Sequence, residues 1–161
     1  QGTIFITPLV ILAVYLIGLF FKKEKYRTTA VNTGCIVILC LVIGLIIEQF
    51  VHETRPMFAL NNVTILLPHS EDSSFPSDHM LFCFSTAFGF WTLSKKLSFS
   101  LMAFGLLVGI AKIYAAQHYP LDILFTILLV LLIYILYWLL ISKRVSKLYL
   151  TLERRVLPFH K

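Results

Sequence analysis

Residues 121–141 read Leu-Asp-Ile-Leu-Phe-Thr-Ile-Leu-Leu-Val-Leu-Leu-Ile-Tyr-Ile-Leu-Tyr-Trp-Leu-Leu-Ile, with Asp122 the only charge. As an α-helix this stretch is long enough to cross ~30 Å of hydrocarbon. It has no period-two alternation, and lipid offers no water to an unpaired backbone, so it reads as a membrane helix rather than a barrel strand. Four further apolar runs, Thr3–Phe21, Thr29–Val51, Met80–Leu93 and Phe99–Ala116, approach the same length, the third being the shortest. The whole chain has a mean hydropathy of +0.86, with 58% hydrophobic and 14% charged residues over 161 positions. That composition excludes an ordinary soluble domain. The expectation is an all-α, polytopic transmembrane helix bundle, one domain over residues 1–161, with five spans. Because the chain begins at Gln1, a sixth span is expected in a preceding segment. Thr3–Phe21 lacks the basic start and small-residue cleavage site of a secretory signal.

The net charge of +6 is distributed unevenly along this pattern. Following the five spans alternately, one side receives Lys22, Lys23, Lys25, Arg27, Lys95, Lys96, Lys143, Arg144, Lys147, Arg154, Arg155 and Lys161, all but two of the 14 basic residues. The other side receives Arg55 and Lys112, along with Glu48, Glu53, Glu71, Asp72, Asp78 and Asp122. The positive-inside rule makes the basic side cytoplasmic. The positive charge is thus a matter of topology, and no nucleic-acid partner is expected. From Lys143 to Lys161 the tail places Val145, Leu148, Tyr149, Leu152 and Val156 at helical spacing among basic residues, as a cytoplasmic interfacial helix would.

Three polar clusters all fall on the acidic, extracytoplasmic side: His52-Glu53-Thr54-Arg55-Pro56, Phe75-Pro76-Ser77-Asp78-His79, and Lys112 followed by His118-Tyr119-Pro120-Leu121-Asp122. Ionisable groups beside lipid are costly and are functional candidates by default. Pro120 predicts a helix starting near Tyr119, which puts Asp122 in its first turn beside His118. A carboxylate on one imidazole nitrogen leaves the other nucleophilic, although a helix cap beside an interfacial histidine accounts for this pair equally well. Ser77 and Asp78 precede the third run, so the Ser77 hydroxyl and backbone amides there form a candidate anion site; an ordinary Ser/Asp N-cap is the simpler alternative. His79 is placed to act as an acid or to activate water. Arg55 offers a planar fork and Lys112 a compact charge to phosphate oxygens. The plain alternatives are an ion pair of Arg55 with Glu53 or Glu48, and a snorkelling Lys112.

A zinc site built from Asp78, His79, His118 and Asp122 is the chemical rival. Two nearby cations oppose it and His-x-x-x-Asp is a weak metal signature, so no metal and no cofactor are expected. Cys35, Cys40 and Cys83 lie within apolar runs and read as packing residues. The loop Met57–Ser74 carries the apolar string Val63–Leu67, read equally as a lid or as a lateral entry for a lipid tail. The sequon at Asn62-Val63-Thr64 is taken as chance, and His69 as structural.

Arg55-Pro56, Pro76-Ser77-Asp78-His79 and His118 with Asp122 resemble the phosphatidic acid phosphatase superfamily of membrane lipid phosphatases, whose phosphate pocket is shared with vanadium haloperoxidases and acid phosphatases. The strings Arg55-Pro56-Met57-Phe58, Leu67-Pro68-His69 and Ser73–His79 look like its bacterial undecaprenyl-diphosphatase, bacitracin-resistance branch. Two positions depart from the family pattern: Glu48 stands where a lysine is usual, and Ala111-Lys112 where Ser-Arg is usual.

The resemblance implies that His118 attacks phosphorus to give a phosphohistidine, Asp122 orients it and His79 protonates the leaving group. It further implies that Arg55, Lys112, Ser77 and amides near Asp78 bind phosphate oxygens; Glu53 and His52, with Pro76 beside them, either tune Arg55 or contact the second phosphate, and structural roles account for them equally well. The expected substrate is a polyprenyl diphosphate lipid, undecaprenyl diphosphate, cleaved at the outer face of a bacterial plasma membrane to recycle the cell-wall carrier. Phosphatidylglycerol phosphate and phosphatidic acid are alternative substrates. A non-catalytic lipid-phosphate binder is the alternative class, motivated by Glu48 and Lys112, and oligomeric state is not legible.

Overall fold

The computed structural model describes residues 2–61 and 72–156, with side chains from Phe5 onward. Among the described residues seven helices follow one another: α1 (Gly2–Phe20), α2 (Glu24–Glu48), α3 (Pro56–Ala59), α4 (Asp78–Gly89), α5 (Lys95–Tyr114), α6 (Pro120–Leu140) and α7 (Ser142–Val156). Among the described residues no strand forms, and one isolated antiparallel bridge joins Thr54 to Ser73. The strings expected in the loop, Asn62-Val63-Thr64, Val63–Leu67 and His69, lie outside the described residues.

Helices α2, α5 and α6 are long and apolar enough to cross a membrane. The apolar stretch Phe5–Phe20 of α1 is shorter. Large apolar side chains on the outer faces of α5 and α6, among them Leu107, Ile110, Leu124, Leu128 and Leu139, are exposed, as a lipid-facing surface requires. The third expected run, Met80–Leu93, differs most from its helix. Helix α4 holds 12 residues and stops at Gly89, a length of about 18 Å at the α-helical rise. Residues 90–93 turn, and Ser94 opens α5 by accepting the Leu97 N–H at 3.3 Å.

Helix α4 is short because it is an interior element. It packs against α1, α2, α5 and α6, and Met80, Leu81, Cys83, Phe84, Ser85, Thr86, Ala87 and Gly89 are all buried. Apolar content alone does not separate a helix wrapped in protein from one wrapped in lipid. The close approach of α5 to α4 rests on Gly105 and Gly109, four residues apart. A Cβ at Gly105 would stand 3.0 Å from the Phe84 ring, and one at Gly109 would stand 3.1 Å from Ile123 and 3.2 Å from Met80. Small residues at this spacing let membrane helices pack by backbone approach.

The α5–α6 connection is tight. Ala116 adopts φ 53°, its N–H donates to Ile113 O at 2.9 Å, and the Gln117 N–H reaches back to Lys112 O at 3.0 Å. This is a Schellman ending with alanine in the left-handed position that glycine usually takes. Helix α6 then begins as its sequence predicts, with Tyr119 at the N-cap, Pro120 at the first position and Asp122 Oδ2 accepting the Tyr119 N–H at 2.8 Å.

Helix α7 carries three faces. Ser142, Ser146, Tyr149 and Glu153 face the bundle; Leu148, Leu152 and Val156 form an exposed apolar stripe; Lys143, Arg144, Lys147, Arg154 and Arg155 lie on the remaining side. A buried pair of Arg27 with Glu153 ties α7 to α2, with Arg27 Nη2 3.1 Å from Oε2, and Arg27 Nη1 donates to Gly18 O at 3.0 Å. Higher in the bundle Tyr137 donates to Asn32, whose amide donates to Ser146 at 2.9 Å, joining α2, α6 and α7.

Candidate active site

The three polar clusters meet where α2 and α5 end and where α4 and α6 begin. Backbone bonds assemble them. The Thr54–Ser73 bridge and the Ser74 N–H donating to Glu53 O at 2.8 Å lay the first cluster beside the second. The Met57 N–H donates to Ala116 O at 2.9 Å and joins the first cluster to the third. The Ser77 N–H donates to Thr126 Oγ1 at 3.1 Å, and that hydroxyl donates to Asp122 O at 2.6 Å, joining the second cluster to α6. The Phe75–Pro76 peptide at this corner is cis.

His118 sits at the centre and is 3% exposed. Its Nδ1 lies 2.7 Å from Ser74 O. A carbonyl oxygen only accepts, so the proton belongs on Nδ1 and Nε2 carries the lone pair, as an acceptor. Nε2 faces Ser77 Oγ at 3.2 Å and Arg55 Nη1 at 3.5 Å. Burial, followed by the Arg55 charge, pushes the His118 pKa down to about 3. The Ser74 hydrogen bond opposes that fall, while Lys112 and His79 add to it, so both of those groups act on the same imidazole. A neutral imidazole with a fixed Nδ1 proton is the form a nitrogen nucleophile requires.

Asp122 lies 4.0 Å from His118 Nδ1 and is equally buried. Its carboxylate caps α6, and the orienting hydrogen bond expected from it is made instead by the Ser74 carbonyl. Backbone acceptors leave no signature in composition, so Ser74 was not readable as a partner. Ser77 stands at the N-cap of α4 without a side-chain capping bond, its hydroxyl directed at the imidazole. Its N–H is committed to Thr126, so that amide is not part of an anion site. His79, in the first turn of α4, is buried, and Asp78 beside it is exposed.

Arg55 is 6% exposed and pairs with Asp72, Nε to Oδ1 at 2.8 Å, rather than with Glu53 or Glu48. Its Nη1 also donates to Gln117 O at 3.0 Å. Lys112, in the last turn of α5, donates to Gln117 Oε1 at 2.6 Å. Glu53 lies beside Asp122; burial first and then the Asp122 charge raise its pKa. His52 is exposed, and Pro76 is buried against α2 near Gly44. Above Arg55 opens a cleft of about 600 Å³ lined by Glu48, Gln49, His52, Glu53, Asp72 and Ser73 among others.

Residues 29–146 match the PAP2 superfamily. The chain is 33% identical over 138 residues to undecaprenyl-diphosphatase BcrC of Bacillus subtilis (strain 168), covering 84% of this chain and 71% of that protein. It is 30% identical over 142 residues to the bacitracin transport permease protein BcrC of Bacillus licheniformis, covering 85% and 70%. The chain belongs to the PAP2 superfamily. It is accordingly a phosphatase, a hydrolase with apolar helices of membrane-spanning length. No solved structure matches it.

For a PAP2 phosphatase the pocket brings Arg55, Ser77, Lys112, His118 and Asp122 together. Asp72 and Gln117 join them without having been singled out in the sequence. Asp72 stands at the edge of a polar loop run, Glu71-Asp72-Ser73-Ser74, where a carboxylate reads as solvated. Gln117 has a side chain that neither titrates nor attacks, so nothing but its place before His118 distinguishes it.

Proposed function

We propose that this phosphatase hydrolyses undecaprenyl diphosphate to undecaprenyl phosphate and inorganic phosphate through a phosphohistidine on His118, at the extracytoplasmic face of a bacterial plasma membrane. The observation that carries the reading is the pairing at one ring: Nδ1 held by Ser74 O at 2.7 Å, and Nε2 turned to Arg55 and Ser77. In the first step Nε2 attacks the terminal phosphorus as the bond to undecaprenyl phosphate breaks, and His79 supplies a proton to that leaving group. In the second, His79 takes a proton from water, which attacks phosphorus and releases phosphate and neutral His118. Arg55, Lys112 and the Ser77 hydroxyl stabilise the equatorial oxygens, where preorganised charge has its largest effect. Asp122, 4.0 Å away, offsets the positive charge that the ring acquires on phosphorylation. The donors are organic cations and hydroxyls, and no metal or cofactor takes part.

A lipid substrate is supported by a groove of about 570 Å³ between α2 and α6, walled by Ile47, Phe75, Leu121, Phe125, Leu128 and Leu132 and ending at Asp122 and Glu53. Its walls are apolar along the outer face of α6, where a prenyl chain in the bilayer would lie. With five spans, α1, α2, α4, α5 and α6, and α4 sheathed by the others, the site lies opposite the end that carries Lys22, Lys23, Lys25, Lys95, Lys96 and the basic face of α7. That charge bias supports an outward-facing site. The name of the B. subtilis relative supports the choice of head group. The reaction would return the cell-wall lipid carrier to use for peptidoglycan synthesis and would oppose bacitracin, which sequesters the diphosphate.

The test is phosphate release from undecaprenyl diphosphate by the purified protein in detergent with excess EDTA, beside His118→Ala. The reading requires turnover that survives chelation, vanishes in the variant and leaves acid-labile phosphate on wild-type protein after quenching. Faster release from phosphatidylglycerol phosphate or phosphatidic acid would move the substrate; chelation-sensitive turnover would overturn the mechanism.

A further inference from the structure

We propose that Gln117 is the positioning residue that aims both cations of the phosphate pocket, and that Lys112 and Gln117 act as one phosphate-holding unit. Three bonds converge on this residue. Its side-chain Oε1 accepts from Lys112 Nζ at 2.6 Å, its main-chain O accepts from Arg55 Nη1 at 3.0 Å, and its N–H donates to Lys112 O at 3.0 Å. It is 3% exposed, so its side chain is held by the protein rather than by water. It directly precedes His118, and Arg55 Nη1 lies 3.5 Å from His118 Nε2. The positions of both charges relative to the nucleophile are therefore set within two adjacent residues.

The chemistry of lysine explains the need for such a partner. An ammonium on a four-carbon stem has three rotatable donors and no preferred plane, whereas a guanidinium presents a rigid fork. At the end of α5 the ammonium is drawn to one point by a single strong acceptor, with its remaining N–H groups directed elsewhere. The left-handed Ala116 turn makes this possible by folding Gln117 back over the last turn of α5. The ligand is a phosphate group, which fits a site holding two fixed cations and a serine hydroxyl.

This inference rests on the phosphatase reading for its substrate, so its test is separated from turnover. Inorganic phosphate is titrated calorimetrically into the purified full chain in detergent as wild type, Gln117→Met, Lys112→Arg and the double variant. Methionine keeps the volume of glutamine and removes the acceptor. Gln117→Met is expected to weaken phosphate binding about tenfold beside Lys112, the loss of roughly one charge-assisted hydrogen bond. In the Lys112→Arg background the same change is expected to cost no more than about twofold, because a fork needs no aiming. Gln117→Glu keeps an acceptor but neutralises the ammonium, so it is expected to melt like wild type and still lose affinity. Equal losses in both lysine and arginine backgrounds, an unchanged affinity in Gln117→Met, or no phosphate binding by wild type would each overturn the unit. Wild-type protein that binds phosphate but turns over no lipid phosphate would sink the proposed reaction and leave this cycle readable.

Discussion

The imidazole Nδ1 of His118 lies 2.7 Å from the carbonyl oxygen of Ser74 and 4.0 Å from the carboxylate of Asp122. The tautomer of the imidazole is therefore fixed by backbone, while Asp122 caps α6 and stands beside the ring. Asp122→Asn should keep the cap, since an amide oxygen still accepts the Tyr119 N–H, and should keep the Nδ1 proton in place. What it removes is the negative charge beside a ring that, in the proposed mechanism, becomes positive during phosphoryl transfer. The expected result is a fall in kcat of about 100-fold, smaller than the roughly 10⁴-fold seen where an aspartate alone sets the tautomer. Steady-state kinetics on a lipid phosphate, with a melting curve as control, measure it. A variant that melts far below wild type would assign Asp122 a structural role only.

The depressed pKa of His118 gives a pH prediction with a defined sign. Burial and Arg55 hold the folded-state value near 3, below the ordinary 6.5, so the imidazole stays neutral in the free protein throughout the neutral and mildly acidic range. In the proposed mechanism neutral imidazole is the nucleophile, so loss of kcat/KM between pH 7 and pH 5 should come from other groups. Arg55→Ala removes the second-largest cause of the depression, and the His118 value should rise toward 6.5. The acid limb of kcat/KM is then expected to move to higher pH, beneath a lower plateau. Stability follows the same linkage: the unfolded state binds the extra proton between pH 6.5 and about 3, so stability falls as pH drops through that window. His118→Gln should flatten that fall in a pH series of melting curves.

Thr126 is fully buried, and its hydroxyl accepts from the Ser77 N–H at 3.1 Å while donating to Asp122 O at 2.6 Å. Thr126→Val preserves shape and deletes both bonds, leaving a buried N–H without its acceptor. The expected cost is about 1–3 kcal/mol of stability. Ser77 should also lose its aim at His118, so kcat is expected to fall with little change in KM. Denaturant melts and kinetics on one preparation separate the two effects.

The helical membrane architecture was legible because lipid permits so few backbone solutions, and the starts of α4 and α6 followed from Ser77 and from Tyr119-Pro120. Arg55, His118 and Asp122 stood out as candidates because ionisable groups are costly in such a chain. The short length of α4 was not, since Met80–Leu93 is as apolar inside a bundle as it would be in lipid. The Ser74 carbonyl, the Asp72 partner of Arg55 and the convergence on Gln117 depend on how the loops fold back. A main-chain oxygen, a loop carboxylate and an amide carry no pattern of their own. Thr126 was visible as a polar residue within a span, yet its role emerges only when α4 is laid against α6.

At the other end of the bundle Arg27 and Glu153 are each 5% exposed and paired, with Tyr149 also donating to Glu153. A buried ion pair contributes little net stability against an apolar replacement, but removing one partner leaves an uncompensated charge at a cost of about 3–5 kcal/mol. Glu153→Gln should therefore loosen α7 from α2 and α1, because Arg27 retains its bond to Gly18 O but loses its counter-ion. The double variant Arg27→Met with Glu153→Leu should recover most of that loss. Limited proteolysis in detergent, which cuts at the exposed Lys143, Arg144 and Lys147 once α7 opens, reports the ordering: Glu153→Gln fastest, then the double variant, then wild type. The candidate active site lies beyond α2 and α6 from this clasp, so the phosphate affinity of the double variant is expected to match wild type. A double variant cut as fast as Glu153→Gln would show that the pair itself, and not the stranded arginine, governs the docking of α7.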